Sequence, residues 1–315
     1  MKKIATLIAF LALISGCSIK KAAFNSVADL LAPPPSDKPI EGANPMAALT
    51  GENDPQLVKE FFPTALKLYE IMHLQNPQHE ELAVMTGQLY VMYANAFIQG
   101  PAEQLPPEDF TMQEEQYRRA GVFYIRGKDF ALKALQKRYK GFTDAVFGLD
   151  RDAAQTMLSS CSKKDVPALF WAASGLMGAF SLSPLETSYL ELLPGSLAMI
   201  ERASILDPTY NNGAIWEILA AFYAAAPESL GGGKDKAQQA YTKALEITGG
   251  KSPSTHILYA RSFCIPAQDG QGFDEHIDKA LAINPEDDPD NRLVITIAQR
   301  QARWLKEHKA DFILE

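Results

Sequence analysis

The chain has little with which to do chemistry. It holds three cysteines and five histidines among 315 residues. The histidines, His73, His79, His256, His276 and His308, form no HExxH pair and no Cys/His zinc spacing. Neither a metal nor a cofactor is expected. No G-x-S-x-G nucleophile elbow occurs, so no catalytic residue is assigned. Gly231-Gly232-Gly233-Lys234 lacks the Ser or Thr after lysine and the preceding strand of a phosphate loop, and reads as a flexible turn. Positive charge is scarce too. Thirty Lys and Arg face 38 Asp and Glu, a net charge of −8. That leaves no basic face for nucleic acid. Asp144, Asp150 and Asp152, beside Lys137, Arg138 and Lys140, read as a solvated charged surface. Sustained period-two alternation is absent, which argues against a sheet.

What is present begins at the first residue. MKKIATLIAFLALISGC opens with two lysines, continues in an uncharged apolar run and ends in Ile14-Ser15-Gly16-Cys17. This is the layout of a cleaved secretory signal with a lipobox. Cys17 is the expected lipid anchor, with palmitate-like chains each contributing roughly 0.8 kcal/mol per buried CH₂. The run is too short to favour an uncleaved spanning helix. An exported location permits a disulfide between Cys161 and Cys264, although two small buried hydrophobes are the favoured reading.

Residues 18–31 have the pattern of a short amphipathic helix. Residues 32–45, APPPSDKPIEGANP, are a stiff proline-rich spacer. Three parts follow: a signal peptide over 1–16, a lipidated N-terminus, short helix and linker over 17–53, and a helical domain over 54–315.

That domain repeats. Tetratricopeptide (TPR) hairpins place W-x2-L-G-x2-Y on a first helix and A-x3-F-x2-A-x4-P on a second. Ala65 to Pro77, Ser196 to Pro208 and Phe273 to Pro285 fit the second pattern in spacing. Trp216, Leu219, Ala220 and Tyr223 fit the first, and Ala237, Tyr241 and Ala244 supply their partner helix after an enlarged turn. Gly87 and Tyr90 fit the first-helix positions with Ala83 in place of Trp. Trp171 and Gly175 fit two more. Small residues at the Gly/Ala positions let helices approach, and large neighbours fill the groove. The expectation is an all-α chain of stacked TPR-like hairpins, an α-solenoid.

Residues 166–185 contain no charge. Their length would span a membrane, but Pro167, Pro184, Asp165 and Glu186 bracket them and small residues dilute them. Two readings stay open: a fully buried helix, which is favoured, or one whose side lines an apolar cavity or channel. Arg126, in the apolar context of Tyr124 to Phe130, either pairs inside the stack or faces a ligand or partner.

Taken together, VADLL, ENDPQLVKEFFPTALKLYE, TGQLYVMYANAFIQGPAE, RAGVFYIRGKDFALKAL, VPALFWAASG and the segment LDPTYNNGAIWEILAAFYAAAPESLGGGKDKAQQAYTKAL resemble the T-component lipoproteins of TRAP (tripartite ATP-independent periplasmic) transporters. The resemblance covers roughly Ala23 to the last helix. It implies a membrane-anchored, periplasm-facing accessory protein without enzymatic activity. It also implies a TRAP periplasmic solute-binding protein (the P-component) as partner, a homotrimer with apolar pores, and a fatty-acid-like hydrophobic ligand. The expected pore residues are Tyr124, Arg126, Phe130, Phe170, Trp171 and Met177. A structural scaffold of envelope assembly, with no ligand, is the alternative. Ser18 after Cys17 favours the outer membrane.

Overall fold

In the computed structural model, residues 26–33 and 46–314 are described. The expected signal segment, Cys17 and most of the proline-rich linker lie outside the described residues. The described chain is helical, with no strand. Residues 26–31 form a short helix, and Ala47–Thr50 is a single turn. The principal helices are α1 (Pro55–Gln75), α2 (Glu80–Tyr93), α3 (Phe110–Arg138), α4 (Phe142–Val146), α5 (Arg151–Ser159) and α6 (Val166–Leu182). After them come α7 (Thr187–Leu206), α8 (Ala214–Ala225), α9 (Lys234–Thr248), α10 (Pro253–Tyr259), α11 (Gly270–Ala282) and α12 (Arg292–Glu307).

Local chemistry places these starts. Asp54 caps α1, its carboxylate accepting from the Gln56 and Leu57 N–H groups, and Pro55 takes the first helical position. There proline's missing N–H costs nothing and its fixed φ suits the helix. Asp150 caps α5 in the same way. Gly231 and Gly233 carry the turn from α8 to α9 at φ +91° and +140°, so the glycine-rich segment is a turn as read.

Most of the long helices pack on the next long helix in the chain: α1 on α2, α2 on α3, α6 on α7 and α8 on α9, with α3 packing on α6 across the short α4 and α5. Two crossings depend on glycine. A Cβ on Gly87 would stand 2.6 Å from the Gly127 carbonyl oxygen, so α2 and α3 meet backbone to backbone. A Cβ on Gly175 would stand 2.7 Å from the Tyr124 carbonyl oxygen, joining α6 to α3 as closely. Tyr90, Leu82 and Leu89 fill the space beside the first crossing and are fully buried. Tyr223, Ala237, Tyr241 and Ala244, at the expected repeat positions, are likewise buried, while Trp216 is half-buried and donates its indole N–H to the Pro208 carbonyl at 2.8 Å.

The succession of helices returns to its beginning. α12 packs against α1 and against the Ala47–Thr50 turn, and Arg292 donates to the Gly51 carbonyl at 3.4 Å. α8 also packs on α10. Closing the ring leaves a space inside it.

The apolar segment forms α6. It is long and apolar enough to cross a membrane, yet 72% of its apolar window is buried inside the protein. Cys161 and Cys264 are buried and free. Burial pushes both thiols up to about 11, with the Asp165 charge reinforcing Cys161 and the Asp269 charge reinforcing Cys264.

Candidate functional site

An apolar chamber of about 550 Å³ occupies the space inside the ring. That size falls within the range of small-molecule sites. α6 forms one wall. Phe170, Trp171, Ser174, Met177, Gly178 and Ser181 all line it. Their spacing of one, three and four residues is a single helical face. The two readings of this segment are therefore both realised: α6 is buried, and one side of it lines a cavity. α1 contributes Phe62, α8 Ile218 and Ala221, and α12 Leu293, Val294 and Ile297.

The wall opposite α6 is irregular. After α2 the helix widens through Ala94–Gln99, where the Gly100 N–H donates to the Asn95 carbonyl five residues back. Wide turns of this kind occur frequently at functional sites. Here Asn95, Ala96, Phe97 and Gln99 all face the chamber. A second wide segment, Ala260–Cys264, repeats the geometry, with the Ile265 N–H donating to the Ala260 carbonyl.

Tyr124 crosses the chamber wall. Its hydroxyl accepts from Asn95 Nδ2 at 3.1 Å and donates to Gln99 Oε1 at 2.6 Å. Burial raises this phenol above its ordinary value, so it stays neutral. The chamber adjoins a larger opening of about 800 Å³ that shares Asn95, Phe97, Gln99, Ala221 and Ile297 with it. Lys59, Glu103, Glu114, Arg261 and Arg300 rim that mouth. At the other end a basin of about 680 Å³ touches the chamber at Gln88. Phe170, in the chamber wall, lies edge-on to Trp171 at 4.8 Å and to Tyr210 of the basin at 5.3 Å.

Of the six expected pore residues, Tyr124, Phe170, Trp171 and Met177 come together on this chamber. Arg126 and Phe130 do not. Successive helical residues are about 100° apart, so residues two and six positions beyond Tyr124 on α3 point elsewhere. Arg126 is exposed and lies over the Phe123 ring at 5.6 Å. Phe130 stacks on Tyr90 at 5.9 Å and carries Lys133 Nζ over its face at 4.0 Å.

Arg138 is not part of a solvated charged surface. It pairs with Glu80, with Glu81 at 3.2 Å and with Asp165 at 2.7 Å. Asp165 is fully buried and also accepts from the Tyr139 hydroxyl at 2.7 Å and the Ser162 N–H at 2.8 Å. Burial alone would raise its carboxyl, but these donors hold it below the usual range. Among the described residues, no group of three or more His, Cys, Asp or Glu could hold a metal ion.

The family model for the TRAP transporter T-component matches residues 51–313. The chain belongs to this family. It is also 44% identical over 306 residues to an uncharacterized protein of Treponema pallidum (strain Nichols), covering 96% of this chain and 95% of that one. As a T-component the chain is part of a cell-envelope transport system and associates with TRAP transporter components. The family is that of an accessory transporter component.

Proposed function

We propose that this T-component holds an apolar or amphipathic ligand in its central chamber while engaging the periplasmic solute-binding protein of its transporter. One observation carries the reading: a closed ring of helices surrounds an aromatic and aliphatic chamber that opens through a wide mouth. A helical array with no ligand would gain by filling such a space, since empty apolar volume forfeits packing contacts. Cys17, lipidated, holds the domain on the periplasmic face of a membrane, and Ser18 favours the outer one.

Self-association into a homotrimer fits the outer surface of α1. Leu57, Phe61, Leu68 and Ile71 are each about half exposed on one flank of that helix. Terminal helices of repeat arrays ordinarily need a polar outer face, and a second copy of the chain would cover this one.

Purified protein extracted gently and weighed by native mass spectrometry should carry a bound apolar molecule. Detergent extracts should yield the solute-binding protein on pull-down. Protein that never carries a ligand and never recovers a solute-binding protein would leave the structural scaffold as the better reading.

A further inference from the structure

The junction between the chamber and the charged basin is built differently from the rest of the cavity. Three polar groups meet there with poor partners or none. Trp171 is 6% exposed, and its indole N–H is buried without a hydrogen bond. The Tyr210 hydroxyl lies within its reach but out of alignment. Gln88 lines both spaces, and its amide donates to the thioether of Met92 at 3.6 Å. Sulfur is a weak acceptor. A buried N–H left unpaired costs about 1–3 kcal/mol, so the Trp171 indole is an unusual donor to find in a cavity wall, and the part-buried Gln88 amide beside it is only weakly held.

The basin just beyond them has a charge to spare. Of its acids, Glu81 is held by Arg138 at 3.2 Å and Asp207 by Lys163 at 3.4 Å. Arg138 is itself taken up by Glu80, Glu81 and Asp165. Lys164, exposed to solvent, lines the same basin and enters none of the ion pairs among the described residues. Two under-used donors and one unpaired cation match a singly charged oxygen acceptor. The apolar chamber that meets the basin at Gln88 matches a chain.

We propose that the Gln88–Trp171–Tyr210 junction is a headgroup subsite for a single-chain carboxylate amphiphile, its chain lying in the chamber and its carboxylate turned toward Lys164. The carboxylate accepts from Gln88 Nε2 and Trp171 Nε1, and Tyr210 closes over it. The turn that carries Tyr210 has the backbone to shift: Asn211, Asn212 and Gly213 follow it with φ of +50°, +51° and +83°. Left-handed backbone at non-glycine residues is costly and collects at ligand clamps. The assignment rests on the chamber's being a ligand site, and it adds a direction: the head points away from the wide mouth.

Bromoalkyl probes test this on the lipid-free protein carrying Cys17→Ala, with Trp216 and Trp304 replaced by Phe so that Trp171 alone reports. Bromine quenches a nearby indole. 2-Bromohexadecanoic acid should quench Trp171 more deeply than 16-bromohexadecanoic acid at saturation. Hexadecanoic acid should displace either probe at least tenfold more effectively than hexadecanol. Gln88→Leu and Lys164→Gln should each lower that preference about threefold or more without weakening the alcohol. Deeper quenching by the 16-bromo acid, or equal competition by acid and alcohol, would overturn the headgroup assignment while leaving the chamber as a ligand site. Failure of every probe to bind would overturn the ligand reading itself, and the subsite with it.

Discussion

Replacing Gly178 by alanine sets helix propensity against packing, and the two predict opposite signs. In an open helix interior, Gly→Ala gains roughly 0.8–1 kcal/mol. On α6 a Cβ at Gly178 would stand 2.5 Å from Tyr124 Cε1 and 2.7 Å from its Cζ. The ring has nowhere simple to go. Its hydroxyl is tied to Asn95 and Gln99, and the phenol is 2% exposed. Overpacking a filled interior costs about 1–3 kcal/mol, and each hydrogen bond that the displaced ring loses adds about 1 kcal/mol. The net is a loss of about 1–3 kcal/mol. For a domain of this size that is a fall in Tm of about 2–12 °C, at 2–4 °C per kcal/mol. Gly121→Ala on α3 is the control, because no atom lies within 4 Å of the Cβ it would add. It should raise stability by roughly 0.5–1 kcal/mol. Urea melts of the two variants and the parent, compared at equal slope, decide the matter. If both substitutions move the midpoint in the same direction, the contact of Gly178 with Tyr124 does not shape the chamber and the reasoning fails. If the signs differ, occupancy of the chamber should fall in Gly178→Ala as well, read by displacement of a bound fluorescent chain.

Other expectations follow from the same geometry. Asp165→Asn should cost about 3–5 kcal/mol, as breaking a buried ion pair does, and circular dichroism melts would show it. Its pH dependence has a definite sign. Asp165 has a folded pKa below its unfolded value, so its contribution is complete above the unfolded value near 4 and is lost as pH falls through the folded one. The parent should therefore lose stability below about pH 4 more steeply than Asp165→Asn; equal slopes would place the acid sensitivity elsewhere. In Cys17→Ala protein, Cys161 and Cys264 should react with a disulfide reagent at pH 8 only on unfolding, because burial raises both thiols to about 11. Cys17→Ala should also release the protein from membranes, as fractionation would show. Tight membrane association of that variant would point back to α6 as a spanning segment.

Much of the body could be read from residue spacing, and particular residues show why. The face of α6 that lines the chamber was visible as a charge-free run with glycines and alanines among aromatics. Gly87 and Gly175 stood out as repeat positions needing close approach, and both sit at backbone contacts. What could not be read was depth and direction. Arg126 and Phe130 neighbour Tyr124 in sequence but not on the helix face, so they do not line the chamber that Tyr124 lines. Arg138 looked solvated because its partners Glu80, Glu81 and Asp165 are up to 58 residues away. Tyr210 and Gln88 carried no motif. Their role depends on two cavities meeting, which no local pattern encodes.

One missed feature did have a signal. Both wide segments, one beside the chamber and one beside its mouth, end directly before a proline, Gly100-Pro101 and Ile265-Pro266. A proline inside a helix has no N–H to donate and crowds the carbonyl four residues back. For Pro101 that carbonyl belongs to Phe97, and for Pro266 to Ser262. The helix relieves the crowding by widening, so that Gly100 and Ile265 each bond five residues back. Widening turns Asn95, Phe97 and Gln99 toward the chamber, and Arg261 and Ser262 toward its mouth. Pro101→Ala should restore the missing donor and let the turn tighten. Asn95 and Gln99 would then rotate off the Tyr124 hydroxyl, and the chamber would lose its polar bridge. The variant should therefore hold or gain helix content while binding apolar probes several-fold more weakly. Unchanged probe binding in Pro101→Ala, with the Gly100 to Asn95 bond intact in its structure, would mean that side-chain packing around Phe97, not the proline, sets the wide turn.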